Sequence, residues 1–93
     1  MVVGVAVWEL HLADCRSLKD KRRVVKSLRD RLRSRFNVSV AETNHQELWQ
    51  RAELACCLVA TDRRHAEQQL AQVAQLVTNE PLARIIDSTT TFW

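Results

Sequence analysis

Two stretches constrain this chain more than any others: VVGVAVWELHL at 2–12 and LACCLVA at 54–60. In an extended strand successive side chains alternate faces. In the first stretch Val3, Val5 and Val7 fall on one face, and Val2, Ala6, Trp8, Leu10 and Leu12 on the other. Glu9 and His11 turn one face polar only near its end. The second stretch is apolar on both faces throughout. A strand apolar on both sides belongs in the middle of a sheet, covered on at least one face. The chain therefore needs two central strands and something to cover them.

The cover follows each strand. Ser17, with Asp20 three residues on, starts a helix in the manner of a capping box. Leu18, Val25, Leu28 and Leu32 then form one apolar stripe. Asn37 is expected to end that helix in a left-handed conformation. Residues 38–43, VSVAET, alternate as a second strand, and 44–53, NHQELWQRAE, form a connection with room for one helical turn. After 54–60, Asp62 can cap a second helix that buries Ala66, Leu70, Val73, Ala74 and Val77. Its outer face is rich in glutamine, and Asn79 and Pro81 stop it. Residues 83–92, ARIIDSTTTF, close the chain as a last strand. The order β-α-β-β-α-β is the split βαβ plan of an α+β domain. Right-handed crossovers place both helices on one face of a four-stranded antiparallel sheet. The other sheet face is left to solvent or to a partner, and on the two central strands it is largely apolar.

Ninety-three residues suit a single domain spanning 1–93. One glycine and one proline imply regular elements joined by short loops. No apolar run approaches the ~20 residues of a membrane span. The apolar start lacks the basic region and cleavage site of a signal peptide. Three cysteines, two of them adjacent, make a poor disulfide framework, so free thiols in a reducing cytoplasm are expected.

Charge is segregated. Residues 17–35 hold nine Lys and Arg against two Asp, while the rest of the chain holds five basic and nine acidic residues. Set out at about 100° per residue, Lys19, Arg22, Lys26, Arg29 and Arg33 form a row about 21 Å long beside the apolar stripe. Arg23 lies alongside the row, and Lys21 and Arg31 are placed at the far flank of the stripe. Local helix physics disfavours this. Cations crowd the first turns, where the macrodipole favours anions. Lys19/Arg23, Arg22/Lys26, Arg29/Arg33 and Arg31/Arg35 are like charges four apart, each costing about 0.2–0.5 kcal/mol in an isolated helix. Such a conflict points to a surface that meets a polyanion. The plain alternative is a solvated face, with Asp14 or Glu80 neutralising it.

The segments SLKDKRRVVKSLRDRLRSRFNVSVAE (17–42) and HQELWQRAELACCLVATD (45–62) resemble the YlxP-like family of small bacterial proteins, over nearly the whole chain. The resemblance implies a ferredoxin-like fold. It also implies association with RNA or the ribosome, through gene neighbourhoods shared with transcription, translation and ribosome maturation. It carries no catalytic residues across. Lys19, Lys21, Arg22, Arg23, Lys26 and positions 45–51 match the family pattern, whereas Cys15, Cys56 and Cys57 look particular to this chain.

Other groupings carry less. In HQELWQR, Trp49 can stack on a base and Arg51 can reach a phosphate. Alternatively Trp49 folds back over the sheet edge as a small satellite core, which is the preferred reading. His11, Cys15, His45, Cys56 and Cys57 have no zinc-site spacing, and adjacent strand cysteines point to opposite faces. Glu9 and His11 share a strand face, a weak hint of acid–base chemistry. The terminal STTTFW is β-prone and can serve as a dimerising edge. The expectation is a cytoplasmic, non-enzymatic domain without cofactor, metal or small-molecule substrate. Lys19, Arg22, Arg23, Lys26, Arg29 and Arg33 would meet RNA phosphates, with Trp49 and Arg51 as accessories. The alternative is a protein-interaction module in which the same helix docks an acidic protein and the chain pairs with itself.

Overall fold

The computed structural model describes residues 1–93. Its elements are β1 (Val2–His11), α1 (Leu18–Arg35), β2 (Ser39–Asn44), β3 (Arg51–Ala60), α2 (Arg63–Thr78) and β4 (Arg84–Phe92). The strands form one antiparallel sheet in the order β2-β3-β1-β4. The two strands with two apolar faces, β1 and β3, are the central pair, as their composition requires.

The register sorts the faces. Ala6, Trp8 and Leu10 of β1 and Leu54, Cys56 and Leu58 of β3 are buried beneath the helices. Val25, Leu28 and Leu32 of α1 and Ala66, Leu70, Val73, Leu76 and Val77 of α2 pack onto them, with Ala74 only half-buried at the margin. Leu70 of α2 packs down on Gly4 of β1: a Cβ there would stand 2.9 Å from Leu70 Cδ1 and push that side chain aside. Both helices start as expected. Ser17 Oγ accepts from the Asp20 amide at 3.0 Å, and Asp62 Oδ1 accepts from the His65 amide at 2.8 Å.

Four local expectations are corrected. Asn37 does not end α1 in a left-handed turn. The helix stops at Phe36, whose backbone is extended (φ −133°) and whose N–H donates to the Leu32 carbonyl. The Phe36 ring packs against the core, and that apolar contact takes the place of a left-handed cap. The only residue with positive φ is His45, at 62°. The 44–53 connection contains no helical turn, because β3 begins three residues early, at Arg51, to pair with His11. Leu18 is only half-buried, and Lys21 lies inside the stripe, not at its flank.

Candidate nucleic-acid interface

α1 carries the predicted row. Lys19, Arg22, Arg23, Lys26 and Arg33 are exposed, and Arg29, which borders the apolar stripe, is half-buried. Lys26 pairs with Asp30 at 2.7 Å, one turn on. Its ammonium holds the Asp30 carboxyl below the usual carboxylate range. Arg33 Nη2 donates to the Val40 carbonyl of β2 at 2.7 Å, which ties the end of the row to the sheet edge. Lys19, Arg22, Arg23, Arg29 and Arg33 have no acidic group within 4.0 Å. Glu80 does not neutralise the row. It is buried and accepts from Arg31 on the opposite flank, and from the Leu82 amide at 3.3 Å.

Lys21 does something different from its neighbours. Its side chain is 1 % exposed, and its Nζ donates to the carbonyls of His45 (2.6 Å), Gln46 (3.3 Å) and Arg51 (3.3 Å). An ammonium has three protons, and three carbonyls take them. Glu42 Oε2, at 2.9 Å, balances the charge without a proton of its own. Lys21 thus clamps both ends of the β2–β3 loop to α1. Gln50 Nε2 adds bonds to the Ala13 and Cys15 carbonyls, both at 3.2 Å. The sequence signal for this role was the helix period itself: at 100° per residue, position 21 falls amid Val25, Leu28 and Leu32.

The accessory residues separate. Trp49 does not fold back as a satellite core. It is 52 % exposed at the tip of the clamped loop, beside exposed Leu48. Arg51 is half-exposed and already paired with a carboxylate. Its Nη2 donates to Glu9 Oε2 at 2.7 Å, while His45 Nε2 lies 2.9 Å from Glu9 Oε1. The guanidinium bond of Arg51, aided by His45, holds the Glu9 carboxyl below its ordinary value. Glu9 and His11 share a face as expected, but the partners of Glu9 come from the loop and β3.

Glu9 lies on the uncovered side of the sheet, opposite Glu53 on one strand and Asp87 on the other. Three carboxylates therefore stand abreast at one end. Along the two central strands the rest of that face is apolar, with Val3, Val5 and Val7 beside Val59, Cys57 and Ala55, while the edge strands add Thr89, Thr91 and Ser39. Adjacent Cys56 and Cys57 do point to opposite faces: Cys56 is buried and Cys57 half-buried. Burial pushes the Cys56 thiol up to about 11 and raises that of Cys15. Both are poor nucleophiles near neutral pH.

No helix is long and apolar enough to cross a membrane. Two solved structures share the architecture. One is the de novo designed protein Foldit4, with a TM-score of 0.57, 14 % identity, and 98 % and 97 % of the two chains covered. The other is a de novo designed protein with ferredoxin fold, LFR1 1, with a TM-score of 0.51, 18 % identity, and 99 % and 84 % covered. The fold is thus ferredoxin-like, as expected. Uncharacterized protein YlxP of Bacillus subtilis (strain 168) is 34 % identical over 80 residues, spanning 86 % of this chain and 87 % of that one. The model of the family described as "Protein of unknown function (DUF503)" matches residues 3–90, and the chain belongs to that family.

Proposed function

We infer that this chain is a non-enzymatic polyanion-binding domain, and that its polyanion is RNA, held by the phosphates along α1. The observation that carries this reading is the unneutralised start of the helix. Lys19, Arg22 and Arg23 are exposed and have no acidic partner, although the chain holds eleven carboxylates. Those carboxylates serve elsewhere: Asp20 accepts from the Arg16 amide, Asp62 caps α2, Glu42 faces Lys21, Glu80 meets Arg31, and Glu9 meets Arg51. The positive end of the helix macrodipole adds to the same field.

The opposite face of the sheet suits nucleic acid poorly. Its central strands offer valine, alanine and cysteine where a base-stacking sheet needs aromatic rings. Glu9, Glu53 and Asp87 repel phosphate at its end. Phosphate contacts along α1 would give affinity and orientation with little choice of sequence.

The test is binding of a generic single-stranded RNA across a salt series. Four contacts, by Lys19, Arg22, Arg23 and Lys26, predict a log–log slope of about −2.8, or about a fiftyfold loss between 50 and 200 mM salt. Changing Lys19, Arg22 and Arg23 to Gln should remove most of the slope and most of the affinity, equally for unrelated sequences. Absence of binding at low salt would overturn the reading and assign the helix to an acidic protein partner.

A further inference from the structure

The two edges of the sheet are finished differently. Val3 and Trp93 exchange both backbone hydrogen bonds, at 2.9 and 2.8 Å. In an antiparallel ladder such pairs alternate with pairs whose polar groups point away from each other. With Val5 opposite Thr91 and Val7 opposite Thr89, the N–H and C=O of Ser88, Thr90 and Phe92 therefore point outward from β4. By the same alternation through β3, those of Val40 and Glu42 point outward from β2.

The β2 edge is stopped. Arg33 donates to the Val40 carbonyl at 2.7 Å, Gln46 Nε2 donates to the Glu42 carbonyl at 3.4 Å, and the register breaks between Glu42 and Asn44. The strand is also only six residues long. Short strands, bulges and capping side chains are the usual protections of a sheet edge.

β4 has none of these past Asp87. It is nine residues long, and its one irregularity lies at the Glu9/Leu10 step, near its start. Asp87 Oδ1 accepts from the Ser88 amide at 2.9 Å. Beyond that, the N–H and C=O of Thr90 and Phe92 have no partner, and no charged side chain interrupts Ser88–Trp93. Threonine and aromatic residues favour strand pairing. Above this edge a groove of about 340 Å³ opens between α2 and β4, lined by Trp8, Leu70, Ala74, Thr90 and Phe92 among others.

We propose that the β4 edge is a self-association surface, where a second copy of this chain adds its own β4 antiparallel to form a continuous eight-stranded sheet. The free groups select the copy and its register. A two-fold axis at Thr91 sets Thr90 opposite the partner's Phe92 and Phe92 opposite the partner's Thr90. Four of the five free groups on each chain, the N–H and C=O of Thr90 and Phe92, are then used; the Ser88 carbonyl stays open to solvent and the Asp87 bond to the Ser88 amide stays in place. Residues directly opposite share a face, so the partner's Phe92 arrives beside Thr90 at the groove. The segment brings uncharged side chains against uncharged side chains, and the one cation over it, Arg63, stacked 4.4 Å from the centre of the Phe92 ring, is balanced by its pair with Glu67. In that dimer the β2 strands stand seven strand spacings apart, about 34 Å. The two basic helices are thereby presented on one side of one assembly, although the dimer does not depend on what they bind.

The experiment is sedimentation equilibrium of the full chain up to millimolar concentration, with circular dichroism as the check of folding. Wild type should reach twice its 10.8 kDa mass. Thr90→Pro removes only an outward N–H and should be folded and monomeric. Thr90→Lys puts a charge at the same place, should also be monomeric, and serves as the readout if the proline unfolds the chain. Thr91→Cys, with Cys57→Ser to leave one accessible thiol, should form a disulfide-linked dimer. Its Cα lies about 4.5 Å from its mate in such a pair, within disulfide reach. A monomeric wild type, a dimer that both Thr90 variants leave intact, or a dimer in which Thr91→Cys does not cross-link would each overturn the proposal.

Discussion

Lys21→Met tests the claim that one lysine in a helix crowded with cations is structural. The substitution keeps the length of the stem and removes the ammonium. Three carbonyls, of His45, Gln46 and Arg51, lose a charged donor, and Glu42 loses its only cation. Removing one partner of a buried ion pair costs about 3–5 kcal/mol. Glu42 keeps some contact with water, its side chain being 15 % exposed, so the lower end, about 3 kcal/mol, applies. Against a total stability of about 5–15 kcal/mol for a natural domain, that is a large share. At about 4–8 °C per kcal/mol for a domain of this size, melting should fall by about 12–24 °C. Thermal and urea unfolding followed by circular dichroism give the loss, and an unchanged urea slope shows that the denatured state is the same. Adding Glu42→Gln should recover part of it, because the stranded charge is then gone. A loss below about 1 kcal/mol, or a double variant no better than the sum of the singles, would refute the clamp. Arg22→Ala, one residue on, should change stability by less than about 0.5 kcal/mol.

Other consequences follow from the ion pairs and thiols. The Glu9 carboxyl is held below its ordinary 4.5 in the folded chain, so its contribution to stability is complete above that pH and is lost as pH falls through the lower folded value. Glu9→Gln should therefore flatten the loss of stability below pH 4.5, seen in urea midpoints measured against pH; an unchanged acid limb would contradict the pairing with Arg51. Arg31→Ala strands the buried Glu80 carboxylate and should destabilise by about 1–3 kcal/mol, whereas Arg29→Ala should leave Glu80 untouched, a contrast that melting temperatures decide. A thiol reagent should label Cys57 quickly in the native protein and reach Cys15 and Cys56 only on unfolding, as counted by the thiols released over time; rapid labelling of all three would contradict their burial.

The architecture was legible in the sequence because its signals are periodic. Two apolar faces on 2–12 and 54–60 have one solution, the middle of a sheet. The stripes at Val25, Leu28 and Leu32 and at Ala66, Leu70 and Val73 need only a sheet to cover. Caps at Ser17 and Asp62 are local, so they too were readable. The end of α1 at Phe36 was not, because a ring finding the core outweighed the local preference of Asn37. The row of cations was visible as a pattern, since helix geometry alone sets which side chains line up. Which of them carry free charge was not. Lys21 and Lys26 sit five apart on one helix, yet one is buried against three carbonyls and the other pairs with a neighbour in solvent. The linear pattern groups Arg33 and Arg51 alike, but the sheet brings a neutral acceptor, the Val40 carbonyl, to one and the Glu9 carboxylate to the other. The linear pattern thus determined the layers and the surplus of positive charge. Only the tertiary structure decided where that charge is neutralised and which sheet edge is left open. Both depend on carbonyls and carboxylates brought together from strands far apart in the chain, over distances of about 3 Å that no local rule can supply.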